Sequence, residues 1–334
     1  MTIELSICIP TYNRAFYLKQ LIYSIIPQCF GGIEIVVSDN ASTDETKAVI
    51  EEFQHSHTNI RYVRSEINVG ADRNLLNAVS NAHGKYCWLM GSDDIIEPGG
   101  LNSVLNIIAK HPNLSGISVN FNTYTRDLTR VENAVLIAGG KLKADYLFDN
   151  IEECFSLLGL YFGYFSGQII NRRLWHDVVS REDVSSYCEG FLLVFLIGRI
   201  LKVHPNWYYV NARCVGNRTG NDSILESMGF YQRQVIAHEV FERSLRAHFS
   251  PNTAVYRDVQ NCALSTYILR DCVGYKSNNI NYSALWSLIL LYTRVYKSFY
   301  IYWIVVLPIL ITPNWAIRGI RVLYRLINKR RANA

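Results

Sequence analysis

Charge is scarce in this chain. Only 18% of its 334 residues are Asp, Glu, Lys or Arg, against 49% hydrophobic and 13% aromatic. That balance excludes an extended, charge-solvated polymer and supplies enough apolar surface for a large core. Negative charge is missing altogether beyond Asp271, where nine Lys or Arg remain. The first 271 residues therefore carry net −4 within an overall +5, and a basic surface is expected in the C-terminal fifth. The eight cysteines form no Cys-x-x-Cys pair and no Cys/His cluster of zinc spacing, so buried free thiols in a reducing compartment are expected. Neither Gly-x-Gly-x-x-Gly nor Gly-x-x-x-x-Gly-Lys-Ser/Thr occurs, and dinucleotide and P-loop readings lose their main support. No basic-then-apolar leader opens the chain, which points to the cytosol or a cytosol-facing surface.

What is present is a repeated strand, loop and helix pattern. Residues 6–10 read as a short buried strand stopped by Pro10, and Leu18, Leu21, Ile22, Ile25 and Ile26 then recur at helical spacing. Residues 33–37 form the next strand. Ser42 and Glu45 stand at capping-box spacing after it, at the start of a second helix. Residues 60–63 and 86–90 are two further strands, separated by a helix that follows Asn68-Val69-Gly70 and runs through Ala82. Short loops between alternating strands and helices predict a mainly parallel α/β sheet covered on both faces. A helix over 101–110 and a strand over 114–121 follow, then a variable connection over 122–150.

Polar residues gather where successive strands end: Thr11 to Arg14, Asp39 with Asn40, Asp72 with Arg73, and Asp93 with Asp94. In an open α/β sheet these ends face one crevice, where ligands bind. The strand over 86–90 gives way to Gly91-Ser92 and two adjacent carboxylates, donors suited to Mg²⁺ or Mn²⁺ shared with a phosphate. Asp39 can accept from the amino or imino edge of a pyrimidine, and Tyr12 can stack on the ring. Taken singly, Asp39 reads equally as a turn residue and Tyr12 as a core ring.

Four segments in order, residues 6–14, 37–44, 68–70 and 90–94, resemble the successive signatures of family 2 glycosyltransferases of the GT-A fold. The resemblance implies a Rossmann-like catalytic domain over 1–225, with a nucleotide-sugar-binding half (1–121) and an acceptor-binding half (122–225). It implies that Pro10, Thr11, Tyr12, Arg14, Asp39, Asn40, Asp72, Arg73, Ser92 and Asp93 hold the nucleotide sugar. It further implies that Asp93 ligates the metal with help from Asp94, and that Arg218 faces the departing diphosphate. The first acid of the family's Asp-x-Asp is Gly91 here. The acid pair that supplies the catalytic base falls on Glu189 and Gly190, which leaves Glu189 as base or as a helix cap. Within the family the overall likeness is to O-antigen transferases, including abequosyltransferase-like proteins that use a CDP-linked 3,6-dideoxyhexose. The expected activity is sugar transfer from a nucleotide-diphosphate donor to a lipid-linked oligosaccharide. Two alternatives stand beside it: direct glycosylation of polyprenyl phosphate, and a non-catalytic nucleotide-sugar-binding protein.

The segment Tyr161 to Gln168 mixes aromatics with glycine and reads either as acceptor lining or as core. Residues 226–334 are expected to be helical. The uncharged run over 299–312 is too short to span a bilayer. Arg318, Arg321, Arg325 and Lys329 repeat on one side of a helix over 314–331, a pattern suited to an anionic membrane surface. The greasy flanks disfavour nucleic acid. The expected location is peripheral, on the cytoplasmic face of the inner membrane.

Overall fold

The computed structural model describes residues 2–131, 137–188, 190–221, 223–277 and 282–317. Three strands, β1 (Leu5–Thr11), β2 (Ile33–Asp39) and β4 (Tyr86–Leu89), are buried along almost their whole length. Their side chains alternate between two cores, as a period of two requires. Ile7, Ile9, Val37 and Trp88 enter one core with Leu18 and Leu21 of α1 (Ala15–Ile25) and Val104 of α4 (Gly100–Lys110). Cys8, Val36 and Leu89 enter the other with Leu75 and Val79 of α3 (Ala71–Ser80). A sheet with both faces covered explains why these strands read as unbroken apolar runs.

With β3 (Ile60–Arg64), β5 (Ile95–Ile96), β6 (Gly116–Tyr124), β9 (Gln168–Asn171) and β10 (Trp207–Arg218), the sheet runs β3-β2-β1-β4-β9-β6-β10-β5. β7 (Arg130–Val131) pairs with β6, and β8 (Tyr146–Phe148) pairs with β10. The expectation of a mainly parallel sheet is corrected to a mixed one. β1 is parallel to β2 and β4, β2 to β3, and β6 to β10, but β9 runs antiparallel to both β4 and β6. The reason lies in the connection: the segment before β9 returns along the rim beside Asp94, so β9 starts at the end where β4 and β6 finish.

Helix α2 (Thr46–Gln54) starts later than the capping-box spacing predicts. Ser42 Oγ instead accepts from Asn13 N at 2.9 Å, while Asp44 accepts from Thr46 N at 3.1 Å. The connection over 122–150, expected to be irregular, contributes β7 and β8. Strand β10 carries register breaks between Val210 and Arg213 and between Arg213 and Val215. Such bulges bend a strand, and here the far end of β10 pairs with β5.

Helices α5 (Ile151–Leu158) and α6 (Leu192–Val203) share one apolar core with the C-terminal helices. Phe155, Phe195, Phe241, Tyr256, Tyr292 and Tyr302 are all buried in it. Among the described residues no helix is long and apolar enough to cross a membrane. The basic repeat from Arg318 to Arg331 lies outside the described residues. All eight cysteines are free thiols, five of them buried.

Candidate active site

The rim is assembled by loops that satisfy one another's polar groups. Asn13 adopts φ +51°, and its Oδ1 accepts from Thr43 N at 2.7 Å. Asp44 reaches across to accept from Ala15 N at 3.0 Å, capping α1 from a different loop. Asn40 donates to Asn68 Oδ1 at 2.7 Å and accepts from Val69 N at 2.8 Å. Asn74, which sequence reasoning missed as a site residue, accepts from Ser38 Oγ and donates to the Ser38 and Thr11 carbonyls. These bonds fix β1, β2 and α3 into one rigid cradle. Its tip exposes two rings, Tyr12 at 44% and Phe16 at 68%.

Asp39 is fully buried at the floor of that cradle. It accepts from Ser42 N at 2.8 Å and from Tyr62 Oη at 2.6 Å, with Arg64 Nε at 3.4 Å. Tyr62 is held as the neutral donor because burial, and then Asp39 itself, disfavour its ionised form. A carboxylate offers about four lone-pair directions, so one further donor can still be taken. Thr11 Oγ1 is buried beside it with no hydrogen-bond partner among the described residues.

The second cluster surrounds Asp93. Its Oδ2 accepts from Asn221 Nδ2 at 2.6 Å, and its carbonyl accepts from Arg218 Nε at 2.7 Å. Asn221 in turn accepts, through its carbonyl, from Arg14 at 3.0 Å. Both guanidinium groups lie over the Tyr17 ring, Arg14 at 5.4 Å and Arg218 at 4.9 Å, within cation–π range. Arg218 also donates to the Arg126 carbonyl at 2.7 Å and to Gln20 Oε1 at 2.6 Å. Among the described residues none of the guanidinium's hydrogen-bond partners is a carboxylate, so a buried cation stands beside Asp93 without a direct ion pair. Burial pushes the Asp93 carboxyl up, opposed by the Arg14 and Arg218 charges.

Asp94 is turned the other way. Its Oδ1 accepts from Arg218 N at 2.9 Å, and its Oδ2 from Tyr164 Oη at 2.9 Å and Ser166 Oγ at 2.5 Å. Burial, and then the charge of Asp93, push its carboxyl up to about 7. Both oxygens thereby tie the rim to β10 and to the segment before β9. The stretch Tyr161 to Gln168 thus serves mainly as scaffold, with Tyr161 and Phe162 buried. Ser92 is buried as well. Gly91 has little room for a side chain: a Cβ there would sit 3.1 Å from Asp93 Oδ1 and 3.2 Å from Ser166 Oγ. Among the described residues no group of three or more His, Cys, Asp or Glu could hold a metal ion. A hard cation on one carboxylate needs diphosphate oxygens to complete its shell, and Asp93 fits that arrangement.

Asp72 is expected beside base or phosphate. It is 4% exposed, and its Oδ2 accepts from Gly190 N at 2.6 Å, which ties α3 to the segment before the helix over Leu192–Val203. Arg73 is exposed and next to Cys188. Glu189 lies outside the described residues. Besides Asn74, the residues missed in the sequence are Tyr17, Gln20, Arg126, Tyr164, Ser166 and Asn221. Asn221 had a signal, since it stands in the same loop as Arg218; Tyr17 and Gln20 are ordinary residues of an amphipathic helix.

A mixed α/β sheet whose strand ends present a polar cradle beside an acid flanked by two cations is the layout of a glycosyltransferase with a GT-A-like fold. The chain belongs to glycosyl transferase family 2, whose family model matches residues 6–172. It is 30% identical over 273 residues to the abequosyltransferase RfbV of Salmonella typhimurium, covering 78% of this chain and 80% of that one. Over 103 residues it is 33% identical to the GalNAc(5)-diNAcBac-PP-undecaprenol beta-1,3-glucosyltransferase of Campylobacter jejuni, covering 30% of this chain and 33% of that one. The crystal structure of S. aureus TarS 1-349 in complex with UDP-GlcNAc shares the fold, with a TM-score of 0.61, 14% identity, and coverage of 87% of this chain and 81% of that one.

Proposed function

We propose that this glycosyltransferase moves a 3,6-dideoxyhexose from a CDP donor to a lipid-linked oligosaccharide in O-antigen synthesis. The observation that carries the reading is the Asp93, Asn221, Arg14 and Arg218 cluster beside the Asp39 cradle. The likeness to the Salmonella abequosyltransferase over most of both chains supports the donor class, and the Campylobacter relative, named for a PP-undecaprenol substrate, supports a lipid-linked acceptor.

The residues divide the work as follows. Tyr12 stacks on the base, and Asp39 takes its amino edge as a further donor. The diphosphate lies against Asp93, Arg14 and Arg218. Both cations are held by hydrogen bonds before substrate arrives, so little reorganisation accompanies the growth of negative charge on the leaving group. Asp93 would hold a Mg²⁺ or Mn²⁺ ion, which when bound supplies Lewis-acid neutralisation of the diphosphate.

Membrane attachment is part of the same proposal. Trp286, Leu290, Tyr300, Trp303, Ile304, Ile311 and Trp315 of the C-terminal helices are exposed, at 48% to 77%. Aromatic and aliphatic side chains of this kind suit the headgroup boundary, and the Arg and Lys residues that follow suit anionic lipid. The protein would then sit peripherally on the cytoplasmic face of the inner membrane. A panel of CDP-, UDP-, GDP- and dTDP-sugars, assayed for nucleotide release with Mg²⁺, Mn²⁺ or EDTA, tests the reading. A CDP-dideoxyhexose should turn over fastest, and a preference for another base would overturn the donor assignment.

A further inference from the structure

The acceptor side of the rim lacks an acid at position 190, and the structure brings a carboxylate to that place from elsewhere. Gly190 has φ +128°, a region side chains rarely adopt, and a Cβ there would meet Ile236 Cγ2 at 2.5 Å. An acidic side chain at 190 is therefore incompatible with this backbone. Its N–H points instead at Asp72, 118 residues earlier in the chain, with a donor–acceptor distance of 2.6 Å.

Asp72 differs from the other rim acids. Asp39 and Asp94 have both oxygens engaged, and Asp93 is held by Asn221. Asp72 Oδ1 is buried and has no hydrogen-bond partner among the described residues. An idle buried carboxylate oxygen costs stability, and such groups persist where a ligand or a proton uses them. The residue also occupies the first turn of α3, where the helix dipole favours an anion. The groups nearby are the Cys188 thiol, which Asp72 pushes up, and the guanidinium of Arg73.

We propose that Asp72 is the general base of transfer, standing in for the acid that position 190 does not carry. The inference rests on the glycosyl-transfer reading above. The acceptor hydroxyl gives its proton to Asp72 Oδ1 as its oxygen bonds to the anomeric carbon from the face opposite the diphosphate. The bond from that carbon to the diphosphate oxygen breaks, and the nucleotide leaves with the electron pair. Oδ1 is shielded from solvent, so the acceptor reaches it by displacing the backbone at 190, which is tied to Asp72 by the Gly190 N–H bond. Burial pushes the Asp72 carboxyl up to about 6, close to the value a base at neutral pH requires.

The test uses the full chain with its best donor from the nucleotide-sugar panel and a lipid-linked acceptor. For the wild type, kcat/KM for the acceptor should fall on acidification with a midpoint near pH 6, and the product should have inverted anomeric configuration. D72N should lower kcat by about a hundredfold or more and abolish the acid limb, while CDP binding by calorimetry stays unchanged. D72E keeps a carboxylate and should recover at least a tenth of the wild-type rate, about tenfold or more above D72N. A D72N protein that keeps wild-type kcat, or that loses only acceptor KM with the acid limb intact, overturns the assignment and makes Asp72 a loop anchor. Retention of configuration, or D72E no better than D72N when both bind CDP, overturns it too. A wild type that releases nucleotide from no donor sinks the transfer reading itself, whereas an active wild type with an unaffected D72N sinks this inference alone.

Discussion

The strand-end rim and the C-terminal helical layer both bury polar side chains, but they do so in opposite ways. In the helical layer the network around His238 closes on itself, while Ser244 Oγ and Gln260 Oε1 elsewhere in that layer are buried with no hydrogen-bond partner among the described residues. His238 bonds to Tyr296 Oη at 3.0 Å and to Gln234 Oε1 at 2.9 Å, and Tyr292 Oη donates to the same Gln234 oxygen at 2.7 Å. Every member comes from the packed helices, and burial pushes His238 down to about 3, so it stays neutral. On the rim the bonds join loops up to 207 residues apart and leave charge in surplus: Asp93 beside two cations, Asp94 against Asp93, Asp72 with an idle oxygen. A closed network holds a shape, and one left with surplus charge is available to a ligand.

The sharpest way to break this comparison is to remove charge from the rim. D93A should lower nucleotide-sugar turnover by about a hundredfold to a thousandfold, as loss of a fixed electrostatic group does elsewhere. Its urea unfolding midpoint should stay close to the wild type, because Asn221 is the one side chain among the described residues that donates to its carboxylate. R218K should cost somewhat less activity but more stability. A lysine cannot reach the Asp93 and Arg126 carbonyls and Gln20 together.

In the helical layer the expected effects reverse. H238A leaves Gln234 and Tyr296 short of a partner and should cost about 1–3 kcal/mol in urea unfolding, with kcat per folded molecule unchanged. If H238A lowered kcat while leaving stability intact, the division between the two regions would fail.

The pH dependence of stability should separate the regions by sign. Asp94 and Asp72 titrate near 7 and 6, above the ordinary value of about 4, because burial disfavours their charge. Their contribution is fully present below about pH 4 and is lost as pH rises toward 7. His238 and His248 are pushed down to about 3 by burial. Their contribution is present above about pH 6.5 and is lost as pH falls toward 3. Urea midpoints across pH 3 to 8 should therefore show D94N flattening the decline on the alkaline side and H238A flattening the one on the acid side.

The smallest effect concerns the exposed ring at the cradle. Y12A should weaken nucleotide binding by about 1–3 kcal/mol in calorimetry, the range for base stacking, and Y12F should bind as the wild type does. Equal loss in both would assign the effect to the hydroxyl.

Much of the rim was legible because each strand ends in a short run of polar residues that apolar packing cannot explain. Asp39, Asn40 and Asp93 declare themselves in this way, whereas Arg218 is expected only from the family resemblance. Tyr17 and Gln20 give no such signal, since they sit within an amphipathic helix and acquire a role only when Arg218 folds over them. The bonds that Asp94 makes are hidden for a related reason. Adjacent carboxylates look alike in a sequence, and a strand end sends successive side chains to opposite sides, one toward the crevice and one into Tyr164 and Ser166.

The sequence alone determined the α/β class, the strand ends that carry the site, and the missing acids at 91 and 190, since these follow from local periodicity and residue type. Only the tertiary structure decided that β9 runs against its neighbours, that Asp94 is committed to the protein, and that Asp72 meets Gly190. Those are contacts between residues tens to more than a hundred positions apart. No pattern within a local window encodes them, because they are fixed by how the loops close over one another.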